Sequence, residues 1–144
     1  YYHYQNLQQT LSNEVFEYYK NQDYYGAVFE GVKRYIQAVK NKTGSTLTDR
    51  NLLENIFAIN NPQWSVTKKF KRPSGVDFHI DTVKNITEGH QKLVIAMWQA
   101  FRDPMSHDPV KDLKDSGLYT EQDCLDALGL LSHLFRRLDN SEPF

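Results

Sequence analysis

Hydrophobic residues recur at helical spacing along the first third of the chain. Steps of four, four and three residues place the apolar positions of the first segment on one helix face: Leu7, Leu11, Val15 and Tyr18. After a polar break at residues 21–23, the spacing runs from Ala27 to Val39, with Asp23 as a favourable N-cap and Gly44 as a favourable stop. The pattern predicts two helices, of which the second is the more buried.

The middle of the chain is less regular. Four apolar residues predict a shorter third helix: Leu52, Leu53, Ile56 and Phe57. This helix would begin at Thr48 or Asp49 and end at residues 60–62, which read Asn-Asn-Pro. In residues 63–80, a basic run meets a Pro-Ser-Gly turn and the apolar alternation is weak. We expect this segment to be either a loop or a short hairpin.

Helical spacing returns in the second half of the chain. A long fourth helix is predicted from about Asp81, with Asp81 or Thr82 as its cap, and its apolar face reaches Phe101. Thr120 and Asp123 resemble a capping box at the start of a fifth and final helix. Five helices, without a convincing sheet or an internal repeat, predict an all-α, up-and-down helical bundle.

Composition narrows the class of protein. With 144 residues, of which 40% are hydrophobic, the chain can bury one core, and we expect a single domain over residues 1–144. Because the chain does not begin with Met, we expect a fragment or the C-terminal domain of a longer protein. A lone Cys124 and the lack of zinc-finger spacing favour a reducing, cytoplasmic location with no metal or cofactor. The longest apolar stretch, residues 93–101, is far shorter than the ~20 residues of a spanning helix, so we expect no membrane contact.

Charge is nearly balanced. Seventeen basic and eighteen acidic residues give a net charge of −1, so no global positive field would attract nucleic acid, and any polyanion site must be local. The candidate is a basic run around Phe70, which offers phosphate contacts and a ring for base stacking on RNA: Lys68, Lys69, Lys71 and Arg72. A solvated loop is the simpler interpretation of the same run.

The segment FRDPMSH, residues 101–107, carries the most specific chemistry. Asp103 precedes Pro104, an arrangement that breaks one helix and suits the N-cap and first position of the next. His107 would then lie one turn into a short new helix, with Arg102 just before its cap. A helix N-terminus and a guanidinium favour a phosphate, and a histidine can accept or return a proton near neutral pH. The spacing alone equally fits an arginine paired with a carboxylate and a histidine that packs or caps.

Resemblance to a known family adds to this interpretation. Arg-Asp-Pro-Met-Ser-His fits the signature of the HEPN ribonuclease superfamily, in which an arginine and a polar residue precede a histidine. Three segments resemble, in order, the Ymh-type HEPN family: VFEYYKNQDYYGAVFEGVKRYIQAV (residues 15–39), GHQKLVIAMWQAFRDPMSH (residues 89–107) and ALGLLSHLFRRLD (residues 127–139). The sequence departs from that family at Asp103, where Asn is commoner, and in an extra segment at residues 63–80.

The resemblance implies a HEPN-like bundle that forms a homodimer, with Arg102 and His107 of both subunits in one composite cleft. His107 would move the proton at the 2′-hydroxyl or leaving oxygen, Arg102 would stabilise transition-state charge, and Asp103 would orient the pair. Cleavage would need no metal and would leave a 2′,3′-cyclic phosphate. Such domains often act as effectors of prokaryotic toxin–antitoxin or antiphage systems, with an antitoxin or other regulatory domain as partner and RNA, tRNA included, as substrate.

Two alternatives stay open from the sequence. One is a non-catalytic HEPN-like module that binds RNA, a nucleotide or a protein, and the other is a structural oligomerisation domain. The remaining reactive side chains are expected to have structural roles. His90 lies on an apolar helix face and is expected in the core, His133 is expected to pack, and Cys124 is treated as structural although a helix N-terminus beside it could lower its pKa.

Overall fold

A computed structural model describes residues 1–102 and 107–144 of the chain, and they form an all-α bundle. The elements, in chain order, are α1 (Tyr2–Gln5), α2 (Gln9–Lys20), α3 (Tyr24–Thr43), α4 (Asp49–Ile56), β1 (Trp64–Ser65), α5 (Ile80–Phe101), α6 (Val110–Asp115), α7 (Glu121–Asp139) and β2 (Glu142–Pro143). The five predicted helices correspond to α2, α3, α4, α5 and α7. The short helix α1 was not predicted, because four residues are too few for a clear periodicity, and α6 begins later than the short helix that the Asp-Pro pair predicted.

Local signals fix the ends of the long helices where the sequence placed them. The side chain of Asp23 accepts a hydrogen bond from the backbone of Gly26 at 2.9 Å, so it caps α3. At the other end, Gly44 has φ of 72°, a left-handed conformation that glycine adopts without strain. Thr120 and Asp123 form the predicted capping box of α7, in which each side chain accepts from the other residue's backbone.

The start of α5 corrects one prediction. The N-cap is His79, whose Nδ1 accepts a hydrogen bond from the backbone of Asp81 at 3.1 Å, and neither Asp81 nor Thr82 plays that part. Residues 63–80 are a loop and contain no hairpin of two strands. Their one strand, β1, pairs antiparallel with β2 at the far end of the described chain, with Trp64 opposite Pro143. Lys68 strengthens this link, because its ammonium donates to the carbonyl oxygen of Pro143 at 3.1 Å.

Helix α3 lies at the centre of the bundle and packs against α2, α4, α5, α6 and α7. Gly31 permits the close approach of two neighbours, because an added Cβ would lie 2.9 Å from Leu131 Cδ1 and 3.2 Å from Leu11 Cδ1. Further along, the fully buried ring of Tyr35 meets Phe135 edge to face, with ring centroids 5.4 Å apart. The central helix thus contributes buried surface to five of its neighbours.

The first long helix is also bound directly to the last. The backbone of Gln8 donates to Ser132 Oγ at 2.8 Å, and its side-chain amide donates to Asp139 Oδ2 at 3.0 Å. The same side chain accepts from Leu11 at 2.8 Å, so one residue caps α2 and fastens it to α7. In residues 1–102 and 107–144, no helix is both long enough and apolar enough to cross a membrane.

Candidate functional site

Arg102 directly follows the last residue of α5. Its backbone N–H still donates to Trp98 at 3.0 Å, so the position of its Cα is fixed by the helix. The guanidinium carbon lies 5.7 Å from the centroid of the Phe29 ring on α3, and Nη1 lies 3.7 Å from Asp49 Oδ1 at the start of α4. The last distance is too long for a hydrogen bond, and 27% of the Arg102 side chain stays exposed. Within the described residues, Arg102 is therefore oriented by its neighbours and has donors available for an anion.

His107 lies in an exposed turn, and the prediction that it falls within a new helix is wrong. The next helix, α6, begins three residues later with Pro109 as its N-cap. Asp108 precedes that proline, and a residue before proline is pushed out of the helical region. The predicted start of the helix at Asp103 and Pro104, including the predicted role of Asp103, lies outside the described residues.

Tyr25 and Phe29 of α3 lie between Arg102 and the segment around α6. The ring of Tyr25 stacks on Phe29 with centroids 6.0 Å apart, and Phe29 is the ring under Arg102. On its other side, Tyr25 meets Tyr119 edge to face at 5.0 Å. Lys114 of α6 forms an ion pair of 2.9 Å with Asp23 at the start of α3. Arg102 and the helix that follows His107 therefore both pack against the N-terminal half of α3.

The basic run occupies a different part of the bundle. All four cations are exposed, but two already have partners: the Lys68 ammonium binds carbonyl oxygens of β2 and its neighbour, and Lys71 pairs with Asp77 at 2.6 Å. In the part of the chain that is described, Lys69 and Arg72 form no side-chain hydrogen bond or ion pair. Of the four predicted RNA-binding residues, Lys68 and Lys71 thus bind other groups of the protein. Within the described residues, Lys69 and Arg72 remain available to bind a phosphate.

The basic run and Arg102 lie near different parts of α5. The loop that carries it packs near Gly89 and His90, and the residues from His90 to Arg102 span roughly 18 Å at about 1.5 Å per residue. Within one subunit, the structure does not bring the predicted RNA-binding residues next to Arg102.

The same region contains a cavity that the sequence did not reveal. Its volume is about 490 Å³, and it lies between α5, α7 and the loop after β1. His90 of α5 lines it together with His133 and Arg137 of α7. His133 and Arg137 are four residues apart and so share a helix face, a spacing that could have marked them as neighbours. Their meeting with His90 depends on how the bundle places α5 across the cavity from α7, which no local motif reports.

Burial governs the charge of the two histidines. Only 5% of His90 is exposed, its ring packs edge to face on Phe57 at 4.6 Å, and its Nε2 has no hydrogen-bond partner in the described residues. Desolvation, followed by repulsion from His133 and Arg137, lowers the pKa of His90 to about 4. Desolvation and the two adjacent arginines also lower the pKa of His133. The His90 ring is therefore neutral at neutral pH and has one donor and one acceptor nitrogen.

We expect the free energy of unfolding to decrease as pH falls from about 6.5 to about 4. The pKa of His90 in the folded protein lies below its value in the unfolded chain. The contribution of His90 to the free energy of unfolding is therefore fully present above pH 6.5 and is lost as the pH falls through the folded pKa. The shift corresponds to a loss on the order of 3 kcal/mol. Urea unfolding across this range should show a weaker pH dependence for His90→Gln, while His3→Gln, at an exposed histidine, keeps the slope of the parent. Equal slopes in all three proteins would contradict the prediction.

Cys124 is not a candidate nucleophile. It is fully buried under the first turn of α7, and burial, with the nearby carboxylates of Glu121 and Asp23, raises the pKa of its thiol to about 12. The helix N-terminus therefore does not lower the pKa of Cys124, as its sequence position allowed, because the effects of desolvation and of the two carboxylates are larger. The structural assignment of Cys124 agrees with its place in the core.

Comparison with known proteins gives one result. A protein-family model described as "Protein of unknown function (Hypoth_ymh)" matches residues 5–138. The matched range includes Arg102, His107 and every residue that lines the cavity. No curated protein and no solved structure gives a significant match.

Proposed function

The chain belongs to the Ymh family, and from this premise we propose that it is a metal-independent endoribonuclease of the HEPN type. The observation that carries the proposal is the Arg102 side chain, which contacts Phe29 and Asp49, stays partly exposed, and precedes the exposed His107 by five residues. The sequence of residues 102–107 fits the HEPN signature. Together these features supply an anion-binding group and a proton-transfer group within one short segment.

In the proposed reaction, His107 removes the proton from a ribose 2′-hydroxyl. The 2′-oxygen then forms a bond to the adjacent phosphorus, and the bond from phosphorus to the 5′-oxygen breaks. A proton returns to the departing 5′-oxygen, which becomes a 5′-hydroxyl, and the other product is a 2′,3′-cyclic phosphate. Arg102 stabilises the negative charge on the phosphoryl oxygens, and its planar fork of donors suits two of them at once. Asp103 is proposed to orient the pair.

The proposed active form is a homodimer in which Arg102 and His107 of both subunits share one cleft. One histidine could then act as base while its counterpart acts as acid. Lys69 and Arg72 are proposed to bind RNA outside the cleft, because both are exposed and form no ion pair in the described chain. The proposed setting is the cytoplasm of a prokaryote, with the domain as the effector of a toxin–antitoxin or antiphage system, and with an antitoxin or regulatory domain as partner.

The direct test is incubation of the purified protein with total bacterial RNA, tRNA included, in the presence of EDTA. We expect fragments that carry 2′,3′-cyclic phosphate and 5′-hydroxyl ends, which mapping of both ends would identify. Cleavage that is lost in EDTA and restored by a divalent cation would overturn the metal-independent mechanism. Intact RNA from a protein verified as a folded dimer would contradict the proposal for this domain.

The cavity between α5 and α7 favours a second candidate, a HEPN-like module that binds RNA, a nucleotide or a protein without chemistry. Two features there are typical of a ligand pocket: His90 Nε2 is buried without a hydrogen-bond partner in the described residues, and the cation Arg137 lines the same cavity. Tight RNA binding without cleavage over a range of neutral pH would favour this candidate over the enzyme.

A further inference from the structure

The cavity between α5 and α7 has the size and walls of a ligand site. Its volume of about 490 Å³ falls within the ~300–1,000 Å³ of typical small-molecule pockets. Most of its lining is apolar, from Val66, Phe70, Phe78, Ile86 and Leu93. Three of these side chains, Phe70, Ile86 and Leu93, are each about 40% exposed. A flat ligand in the cavity would cover this apolar surface and remove it from water.

The cavity has few polar groups, and one of them is a buried histidine nitrogen. The Nε2 atom of His90 is buried without a hydrogen-bond partner in the described residues, a state that is unfavourable unless water or a ligand supplies one. His133 lines the same cavity from α7. A ligand with both a donor and an acceptor on one edge would suit these two rings, as the edges of nucleobases do.

Charge in the cavity selects an anion. Arg137 lines it, with its guanidinium carbon 5.9 Å from the centroid of the Phe70 ring. Within the described chain, the Arg137 side chain forms no ion pair or hydrogen bond, and none of the residues that line the cavity is acidic. Asp77 lines a neighbouring pocket together with Glu142, and it already pairs with Lys71. Within the described residues, a phosphate at Arg137 would therefore meet a cation that has no ion pair, in a cavity without an acidic lining residue.

We propose that this cavity is a subsite that binds one nucleotide of an RNA strand, with the base against the aromatic walls and a phosphate at Arg137. Single-stranded RNA is commonly bound through unstacked bases that rest on aromatic rings or on arginine. The basic loop residues Lys69 and Arg72 extend the positive surface beyond Phe70. Because the cavity lies roughly 18 Å along α5 from Arg102, it selects and positions RNA and does not itself cut it.

This assignment rests on the proposed function, since it takes RNA to be the substrate, but its test measures binding alone. The probe is a fluorescein-labelled, fully 2′-O-methylated RNA oligonucleotide, which has no 2′-hydroxyl to react. Fluorescence anisotropy would give its Kd for the parent, for Arg137→Gln and for Arg136→Gln. Arg136 is the matched control, because it is the adjacent arginine of α7, does not line the cavity and hydrogen-bonds Ser132 at 2.8 Å.

We expect Arg137→Gln to weaken binding at least tenfold and Arg136→Gln to change it less than twofold. The slope of log Kd against log salt should fall by about 0.7 for Arg137→Gln, the value for one lost phosphate contact on a single strand. His133→Gln, which retains a polar side chain, provides a second variant with a smaller loss. Thermal unfolding of each variant would verify the fold.

Equal affinities of Arg137→Gln and Arg136→Gln for the oligonucleotide would overturn the subsite. A second arm uses free mononucleotides as competitors. Mononucleotide binding that depends on Arg137 but is not displaced by RNA would assign the cavity to a free nucleotide and overturn its assignment to the strand. Absence of cleavage by the parent, with Arg137-dependent RNA binding intact, would contradict the ribonuclease proposal and leave the subsite standing.

Discussion

Substitution of His107 by alanine is expected to lower the rate of RNA cleavage by about 10²–10⁴-fold, the usual contribution of a general acid or base. His107 is exposed in the turn before α6, so its removal deletes no buried packing and should leave the helices intact. Initial rates on a fluorescence-quenched RNA oligonucleotide in EDTA would measure the effect, and circular dichroism would verify the fold.

The matched control for this prediction is His3→Ala, because His3 is an exposed histidine on α1 and is not part of the proposed cleft. It should cut RNA at the parent rate. Binding of the 2′-O-methylated oligonucleotide should be nearly unchanged in His107→Ala, since the loss is in proton transfer. If His107→Ala cuts as fast as His3→Ala, the assignment of His107 to the active site is wrong.

Arg102→Ala is expected to reduce the single-turnover rate at saturating RNA by about 10²–10³-fold, because charge on the transition state would lose its stabilising donors. Arg102→Lys should recover part of the rate, since it retains the positive charge and loses the planar pair of donors. Arg50→Ala is the matched control: Arg50 is exposed on α4, where it pairs with Glu54 at 2.6 Å, and its loss should leave cleavage unchanged.

The contact of Arg102 with Asp49 allows a structural role to be separated from a chemical one. If Arg102 served only to fasten α5 to α4, Asp49→Asn would cause the same loss of cleavage as Arg102→Ala. Because Nη1 and Oδ1 are 3.7 Å apart and the Asp49 side chain is 45% exposed, the pair contributes little to stability. We therefore expect Asp49→Asn to retain most of the activity, and a loss equal to that of Arg102→Ala would contradict the catalytic role of Arg102.

The sequence predicted the parts of the fold that depend on neighbouring residues. Asp23, Gly44 and the Thr120–Asp123 box mark helix ends through hydrogen bonds or backbone conformations that involve residues only a few positions away. The N-cap of α5 was assigned to the wrong residue because His79 is an uncommon cap, and the usual capping residues that follow it were preferred.

Features that depend on distant residues were not accessible in this way. β1 pairs with a strand from the other end of the described chain, so residues 63–80 alone gave no sign of it. The cavity required His90 and Arg137, which lie on two different helices and meet only through the arrangement of the whole bundle. At the candidate active site, the motif located Arg102, whereas its contacts with Phe29 and Asp49 come from two other helices.

The attachment of α7 to the start of α2 also has a consequence for synthesis on the ribosome. Residues 8 and 31 emerge long before the residues of α7 that they contact, and during that interval the apolar face of α3 has no partner on one side. The pairing of β1 with β2 waits for an even later segment. The nascent chain therefore completes its core only after α7 has been translated, and until then that face is a surface on which chaperones can act.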